Sequence, residues 1–355
     1  HPYDNIQENA THFFSISYLG EKATAVVKTE EKPKVNLFTE ILSPKDKSIV
    51  YDRKIKVKAD VAGLDKSTAV EINGNKAKKT REGKMIAEVV MADLGKQIIK
   101  VDASRGEEKA STTARILRLM KFNDVADKHW ARTAIESCAA LGLVQGYPDM
   151  TFKPEKTLTR AELATLVVRA KKIPLPDVTG KVFKDMPAKH WAAQYILAAK
   201  EAGLVQGYPD GTFQPNNMIS RAEGVAVFAR SDGLDAYEEL EEVPFKDVST
   251  KHWAAGIITA AYDNNLIDYI GKKNFEPKKN LTRAEAVTVL SKTAMAKYEI
   301  AKLWDFTVGY DLTEDKSVAK EETPQVASDQ LADEEVSEAT EDEFMTIGTE
   351  KISLE

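Results

Sequence analysis

With one cysteine in 355 residues, the chain can form no intramolecular disulfide, and no redox compartment can be read from bridges. That residue, Cys138, lies in AIESCAALGL at helical spacing from Trp130, Ala134 and Leu141, as a core side chain would, rather than a nucleophile with a histidine partner. Long apolar runs are also missing. Nothing approaches the ~18 residues of a membrane-spanning helix, and HPYDNIQENA has neither the basic start nor the apolar stretch of a signal peptide. The chain opens on His1 rather than Met, as expected of a processed product or a fragment. Clustered positive charge is absent too. Residues 311–355 hold fifteen acidic and three basic residues, so residues 1–310 carry only +6, spread thinly, and no nucleic-acid partner is expected. What is present, 43% hydrophobic and 30% charged residues, suits globular domains, and the length predicts two or three.

The dominant feature is an internal repeat. Phe122, Phe183 and Phe245 each open a block, 61 and then 62 residues apart. In every block Trp precedes Phe by 22 residues (Trp130 to Phe152, Trp191 to Phe213, Trp253 to Phe275), and Phe precedes Arg by 8 (Arg160, Arg221, Arg283). Each block predicts helix, loop, helix. The first helix starts near the His-Trp pair and ends at Gly142 or Gly203, where a left-handed cap residue is needed. The loop GYPDGTFQP is rich in turn formers. The second helix starts at Thr159, Ser220 or Thr282, each followed three residues later by Glu162, Glu223 or Glu285, the pattern of a capping box. Upstream, residues 36–119 change period to short alternating β-branched runs with turns at Asn73-Gly74, Gly83 and Leu94-Gly95, which predicts about seven strands in an all-β sandwich. Residues 1–35 hold strand-like pieces, THFFSISYLG and TAVVK, that belong to this or a preceding β domain, and the acidic tail, with Phe344 as its one aromatic, has the composition of a disordered segment.

The repeated polar residues suggest binding rather than catalysis. The capping box already explains the three glutamates, and no nucleophile–base set is visible, so no catalytic residue is expected. His129, His190 and His252 recur beside the tryptophans without a second repeating ligand type, so a helix-terminal role is expected rather than a metal site, and no cofactor is implied. The arginines fall at the first helical position, where a cation has the wrong sign for the macrodipole. Two readings stay open. A guanidinium beside a helix N-terminus can converge with free backbone donors on a carboxylate or phosphate, in which case Arg221→Ala should lower affinity and leave the melting temperature nearly unchanged. Alternatively each Arg pairs with an acidic residue such as Asp124, Asp185 or Asp247 to lock repeats together. Trp130, Trp191 and Trp253 are expected to be half core and half groove wall, with a flat face suited to a sugar ring.

The order F-x-D-V, H-W-A, G-Y-P-D-G-T-F-x-P and T-R-A-E, three times over residues 120–295, resembles the S-layer homology domain of bacterial cell-surface proteins. V-x-I-N-G followed by a Gly-bounded strand resembles bacterial immunoglobulin-like domains. The resemblance implies a multidomain chain with an N-terminal all-β immunoglobulin-like sandwich and an all-α pseudo-three-fold triplet, divided as 36–119, 120–181, 182–243 and 244–298, with an acidic tail at 299–355. It further implies non-catalytic anchoring at the cell surface, through grooves between repeats, to a secondary cell wall polymer, typically a pyruvylated polysaccharide, or to modified peptidoglycan. The family's groove residues fall on Arg160, Arg221 and Arg283, on Trp130, Trp191 and Trp253, on Asp124, Asp185 and Asp247, and on Gly146 and Gly207. The alternatives are a lattice subunit that self-associates, its tail binding calcium or a neighbour, and the anchor of a larger surface enzyme. The third repeat departs, with Tyr269-Ile270-Gly271-Lys272-Lys273-Asn274 in place of Gly207-Tyr208-Pro209-Asp210-Gly211-Thr212, which predicts one weak or blocked groove.

Overall fold

The structure, a computed structural model, describes residues 35–271 and 274–310, together with the backbone of residues 11–18 and 21–28. The expectations for the tail from 311 and for Lys272 and Lys273 lie outside the described residues. The chain divides into two compact units, residues 1–43, 56–88 and 100–113 in one and residues 44–55, 89–99 and 114–355 in the other.

The strand-like N-terminal pieces are β1 (Thr11–Tyr18) and β2 (Glu21–Lys28), an antiparallel pair in a sheet of their own. Nine further strands follow rather than seven: β3 (Phe38–Ser43), β4 (Ser48–Val50), β5 (Lys54–Ala62), β6 (Ala69–Ile72), β7 (Asn75–Lys76), β8 (Lys78–Lys79), β9 (Met85–Val90), β10 (Gly95–Arg105) and β11 (Glu108–Arg118). The excess arises from two-residue strands too short to show a period. They form a five-stranded sheet, β4-β11-β10-β6-β7, and a four-stranded sheet, β3-β5-β9-β8, an arrangement compatible with the immunoglobulin-like expectation. Alternation sets the faces: Val57, Ala59 and Val61 of β5 are buried while Lys58 and Asp60 between them are only half-buried. Asn73 and Gly74 both take positive φ, 47° and 72°, in the tight turn joining β6 to β7.

In the second unit each repeat gives two helices, α1 (Arg132–Ala140) and α2 (Arg160–Ala170), α3 (Ala193–Glu201) and α4 (Arg221–Ser231), then α5 (Ala255–Asp263) and α6 (Arg283–Lys292); α7 (Ala294–Trp304) follows. All three capping boxes form, Thr159, Ser220 and Thr282 each accepting from the Glu three residues on and donating to its carboxylate. Gly142 and Gly203 end α1 and α3 with φ of 68° and 71°, and Asn265 does the same after α5 at 60°. In α2, α4 and α6 nearly every residue is buried, and each packs against the first helix of a different repeat: α2 on α3, α4 on α5, α6 on α1.

The connectors close a cycle. Leu158 N–H donates to the Leu281 carbonyl at 3.0 Å, Ile219 to Leu158 at 2.9 Å and Leu281 to Ile219 at 2.9 Å. Isolated β-bridges (Thr157 with Thr282, Thr159 with Met218, Ser220 with Asn280) accompany these bonds, so the repeats are joined by extended backbone as well as helix packing. Cys138 is fully buried, and burial pushes its thiol pKa up to about 12, in keeping with a core role. Among the described residues no helix is long and apolar enough to cross a membrane, and no group of three His, Cys, Asp or Glu is placed to hold a metal ion.

Candidate functional site

The helix N-termini differ from the expectation of free backbone donors. Arg160 N–H donates to Asn217 O at 2.9 Å, Arg221 to Lys279 O at 2.7 Å and Arg283 to Lys156 O at 2.9 Å. The next N–H groups, of Ala161, Ala222 and Ala284, go to Pro215, Pro277 and Pro154, and the third is taken by the cap hydroxyl. The first turn of α2, α4 and α6 is therefore saturated by the neighbouring repeat and the helix's own cap.

The arginine side chains continue the same cycle. Arg160 donates from Nε to Phe213 O at 2.8 Å, from Nη2 to Gln206 O at 3.1 Å and from Nη1 to Glu223 at 2.8 Å. Arg221 reaches Phe275 O, Glu285 at 2.6 Å and Glu276 at 3.2 Å. Arg283 reaches Phe152 O at 2.8 Å and Gln145 O at 3.2 Å. Repeat 1 thus holds repeat 2, repeat 2 holds repeat 3, and repeat 3 holds repeat 1. With 8%, 4% and 1% exposure, the arginines bridge successive repeats, a placement that favours the lock reading of Arg221 over its being dispensable for stability.

Arg160 and Arg221 pair with the capping-box glutamates Glu223 and Glu285, Arg221 also with Glu276, and none of the three arginines pairs with Asp124, Asp185 or Asp247 among the described residues. Each aspartate instead spends both carboxylate oxygens on two consecutive backbone N–H groups of its own loop: Asp124 on Phe152 and Lys153, Asp185 on Phe213 and Gln214, Asp247 on Phe275 and Glu276, all within 2.6–2.8 Å. Gly146 and Gly207 are required by their own repeats. A Cβ would stand 2.3 Å from a Phe122 ring carbon at the first and 2.5 Å from a Phe183 ring carbon at the second, and 2.7 and 2.8 Å from threonine carbonyls. The histidines accept the backbone N–H two residues on, at 3.1–3.2 Å, and lie against the adjoining tryptophan rings, a local helix-start device. Burial lowers the His190 pKa, against the pull of Asp185.

Three predicted residues from three repeats meet in one groove. Arg160, Gly207 and Trp253 line a cavity of about 620 Å³ together with Tyr208, Glu223 and Arg230. Trp253 is 63% exposed, so its indole face is open to an occupant. Arg160 has five N–H donors and uses three, and its guanidinium lies 4.6 Å from the Tyr208 ring centroid. Glu223 is held from four sides: Arg160, Tyr208 Oη at 2.9 Å, and Ser220 through both N and Oγ. Burial raises its pKa, but the Ser220 and Tyr208 hydrogen bonds and the Arg160 charge outweigh it, and the net shift is downward.

A second cavity of about 1060 Å³ opens beside Gly146 and Tyr147, with Arg169, Lys172 and Tyr195 on its other side. Arg283 adjoins the same loop through Gln145 and lies 5.1 Å from the Tyr147 ring centroid. Among the described residues Arg283 has no carboxylate at ion-pair distance, and burial pulls its pKa below the usual guanidinium value, opposed by Tyr147, Glu162 and Asp124. The third loop differs: Tyr269 stands at the register position of Gly207, and its ring stacks on Trp130 with centroids 5.2 Å apart and planes 14° apart. Sequence reasoning missed the tyrosine of the G-Y-P turn as a partner of the Arg–Glu pair. It also missed the basic residue nine positions after each Arg: Arg169, Arg230 and Lys292. Both recur in register, which is the signal that would have found them.

The family model for the S-layer homology domain matches residues 121–164, 182–223 and 244–287. A cell surface glycoprotein 1 of Acetivibrio thermocellus is 35% identical over 190 residues, 50% of this chain and 8% of the relative. A cellulosome-anchoring protein of the same organism is 39% identical over 148 residues, 38% of this chain and 30% of the relative. A surface-layer 125 kDa protein of Lysinibacillus sphaericus is 32% identical over 185 residues, 51% and 15%. The chain therefore spans less than a third of each of these relatives. The coincidence of three matched segments with the three interlocked helix pairs leads to one assignment: residues 121–287 of this chain carry three tandem repeats of the S-layer homology family.

Proposed function

We propose that the triplet is a pseudo-three-fold, non-catalytic anchor that holds the chain at the cell surface by binding an anionic, pyruvylated secondary cell wall polysaccharide or modified peptidoglycan. The observation that carries this reading is the 620 Å³ groove in which one guanidinium with two spare donors, a second cation at Arg230 and an exposed indole converge from three repeats. A carboxylate bridged by Arg160 and Arg230 while its sugar ring lies on Trp253 satisfies charge and stacking together. The second cavity, beside Gly146, Tyr147 and Arg169, is a further candidate seat; Arg283, which lacks the internal carboxylate that Arg160 and Arg221 possess, adjoins its loop through Gln145 without lining it. Asp124, Asp185, Asp247, Gly146 and Gly207 contribute by holding the loops that wall the grooves. Residues 36–119 then form an immunoglobulin-like spacer, and the repeats divide at 120–181, 182–243 and 244–298. The glutamates are committed to caps and ion pairs, which supports the absence of catalysis in this part of the chain.

The test is co-sedimentation of the full chain with purified wall sacculi before and after the pyruvyl groups are stripped. Binding should fall on stripping, and Trp253→Ala should weaken it with the melting curve unchanged. Equal sedimentation with native and stripped sacculi refutes the carboxylate ligand. A second reading, a subunit of a self-associating surface lattice, is favoured by the surface-layer relative at 32% identity; concentration-dependent sheets in electron micrographs would support it.

A further inference from the structure

The three grooves share a register and can be compared position by position. Where repeats 1 and 2 place Gly146 and Gly207 under their own Phe122 and Phe183, repeat 3 has Tyr269, and no Cβ fits that backbone path. The chain accordingly takes a different route, a 3₁₀ turn over Asp268–Ile270 that follows Asn265 at φ 60°. Ile270 replaces the tyrosine whose hydroxyl holds Glu223 in the open groove, and it is buried. The Tyr269 ring stacks on Trp130, the tryptophan of the next repeat in the cycle. Trp253 holds the corresponding place in the 620 Å³ groove, where its face borders open space.

The electrostatics change at the same positions. The basic residue of the open groove, Arg230, has no carboxylate at ion-pair distance among the described residues, whereas its counterpart Lys292 pairs with Asp268 at 2.6 Å. Asp268 occupies the register position of Gln206, so the substitution that discharges Lys292 lies next to the one that fills the groove. Arg221 is likewise more fully neutralised than the other two arginines, by Glu285 and Glu276. Neither the Tyr269 hydroxyl nor Arg221 Nε, both buried, has a hydrogen-bond partner among the described residues. The ring is therefore held by stacking and packing rather than by a specific polar bond.

The geometry points to Tyr269 as a built-in occupant of the groove between Arg221 and Trp130: its ring lies on the indole where a sugar would lie, and the Asp268–Lys292 pair removes the charge that would attract an anion. The chain then has two open grooves and one closed by its own sequence. This inference rests on the glycan-binding reading for its consequence, two ligands per chain, but the closure itself is independent of any ligand.

Two readouts on the full chain separate them. In a W191F/W253F/W304F background, which leaves Trp130 as the single tryptophan, acrylamide quenching should rise about twofold on Tyr269→Ala and stay at the parent value on Tyr269→Phe, since the hydroxyl makes no bond among the described residues. Unchanged quenching in the alanine variant overturns the closure. Should that variant fail to fold, Trp130→Ala at a half-exposed position reads the same contact from the other ring: tetranitromethane should then nitrate Tyr269 severalfold faster, and an unchanged rate overturns the closure equally. Calorimetry with a monovalent pyruvylated monosaccharide should give two sites per wild-type chain and three for Tyr269→Ala. Three sites in the wild type overturn the inference. No binding in any variant, with the quenching change present, refutes the glycan reading and leaves the closure standing.

Discussion

Replacing Arg221 by alanine tests the lock directly, because the anion-site reading, one of the two that the sequence leaves open, forecasts the opposite of what the bonds of Arg221 do. Read as a wrong-sign cation at a helix start, the side chain should be removable at no cost, with a gain of a few tenths of a kcal/mol. Read from its bonds, it is 4% exposed and satisfies the Phe275 carbonyl and the Glu285 carboxylate, itself 5% exposed. Its removal strands a buried charge, which costs about 3–5 kcal/mol. Lys279, 3.7 Å from Glu285, offsets part of this, so the lower end of the range applies. At about 2–4 °C per kcal/mol for a unit of this size, the helical part should melt roughly 6–12 °C lower. The assay is urea unfolding of the full chain followed by circular dichroism at 222 nm, with the midpoint shifted and the slope kept. Adding Glu285→Gln to Arg221→Ala should recover part of the loss, because the stranded charge is then gone. A midpoint shift equivalent to less than 0.5 kcal/mol in the single variant, a bound set by ordinary surface substitutions, would refute the lock.

Gly207→Ala, which puts a Cβ 2.5 Å from the Phe183 ring, should cost about 1–3 kcal/mol by overpacking, more than Gly142→Ala, where the space is open and only the φ of 68° is strained; equal costs by denaturant titration would contradict the steric argument. The Glu223 carboxyl is depressed in the fold, so its contribution is complete above the ordinary glutamate pKa of about 4.3 and is lost as pH falls through the lower folded value. Acid titration of wild type against Glu223→Gln should show the stability difference closing below that window, and a difference constant with pH refutes the assignment. Cys138 should resist a disulfide-exchange thiol reagent in the native chain and react at once in about 6 M guanidinium, above the unfolding midpoint of most domains; fast native labelling would contradict its burial.

Local chemistry was legible from the residues alone. The capping boxes, the positive-φ Gly142 and Gly203 and the core position of Cys138 all depend on neighbours a few residues apart, where spacing fixes geometry. The partners of the arginines were not legible, because Arg160 finds Phe213 across 53 residues and Arg283 finds Phe152 across 131, and only closing the cycle decides that repeat 3 returns to repeat 1. The departure of the third loop from Tyr269 to Asn274 reads as an obstacle in one groove, yet which groove it closes depends on the Tyr269 ring's reaching Trp130 of the first repeat. The repeated motifs set which side chains are offered to each groove; the cyclic packing decided which arginine, loop and tryptophan share one, since each groove is assembled from residues that no local period relates.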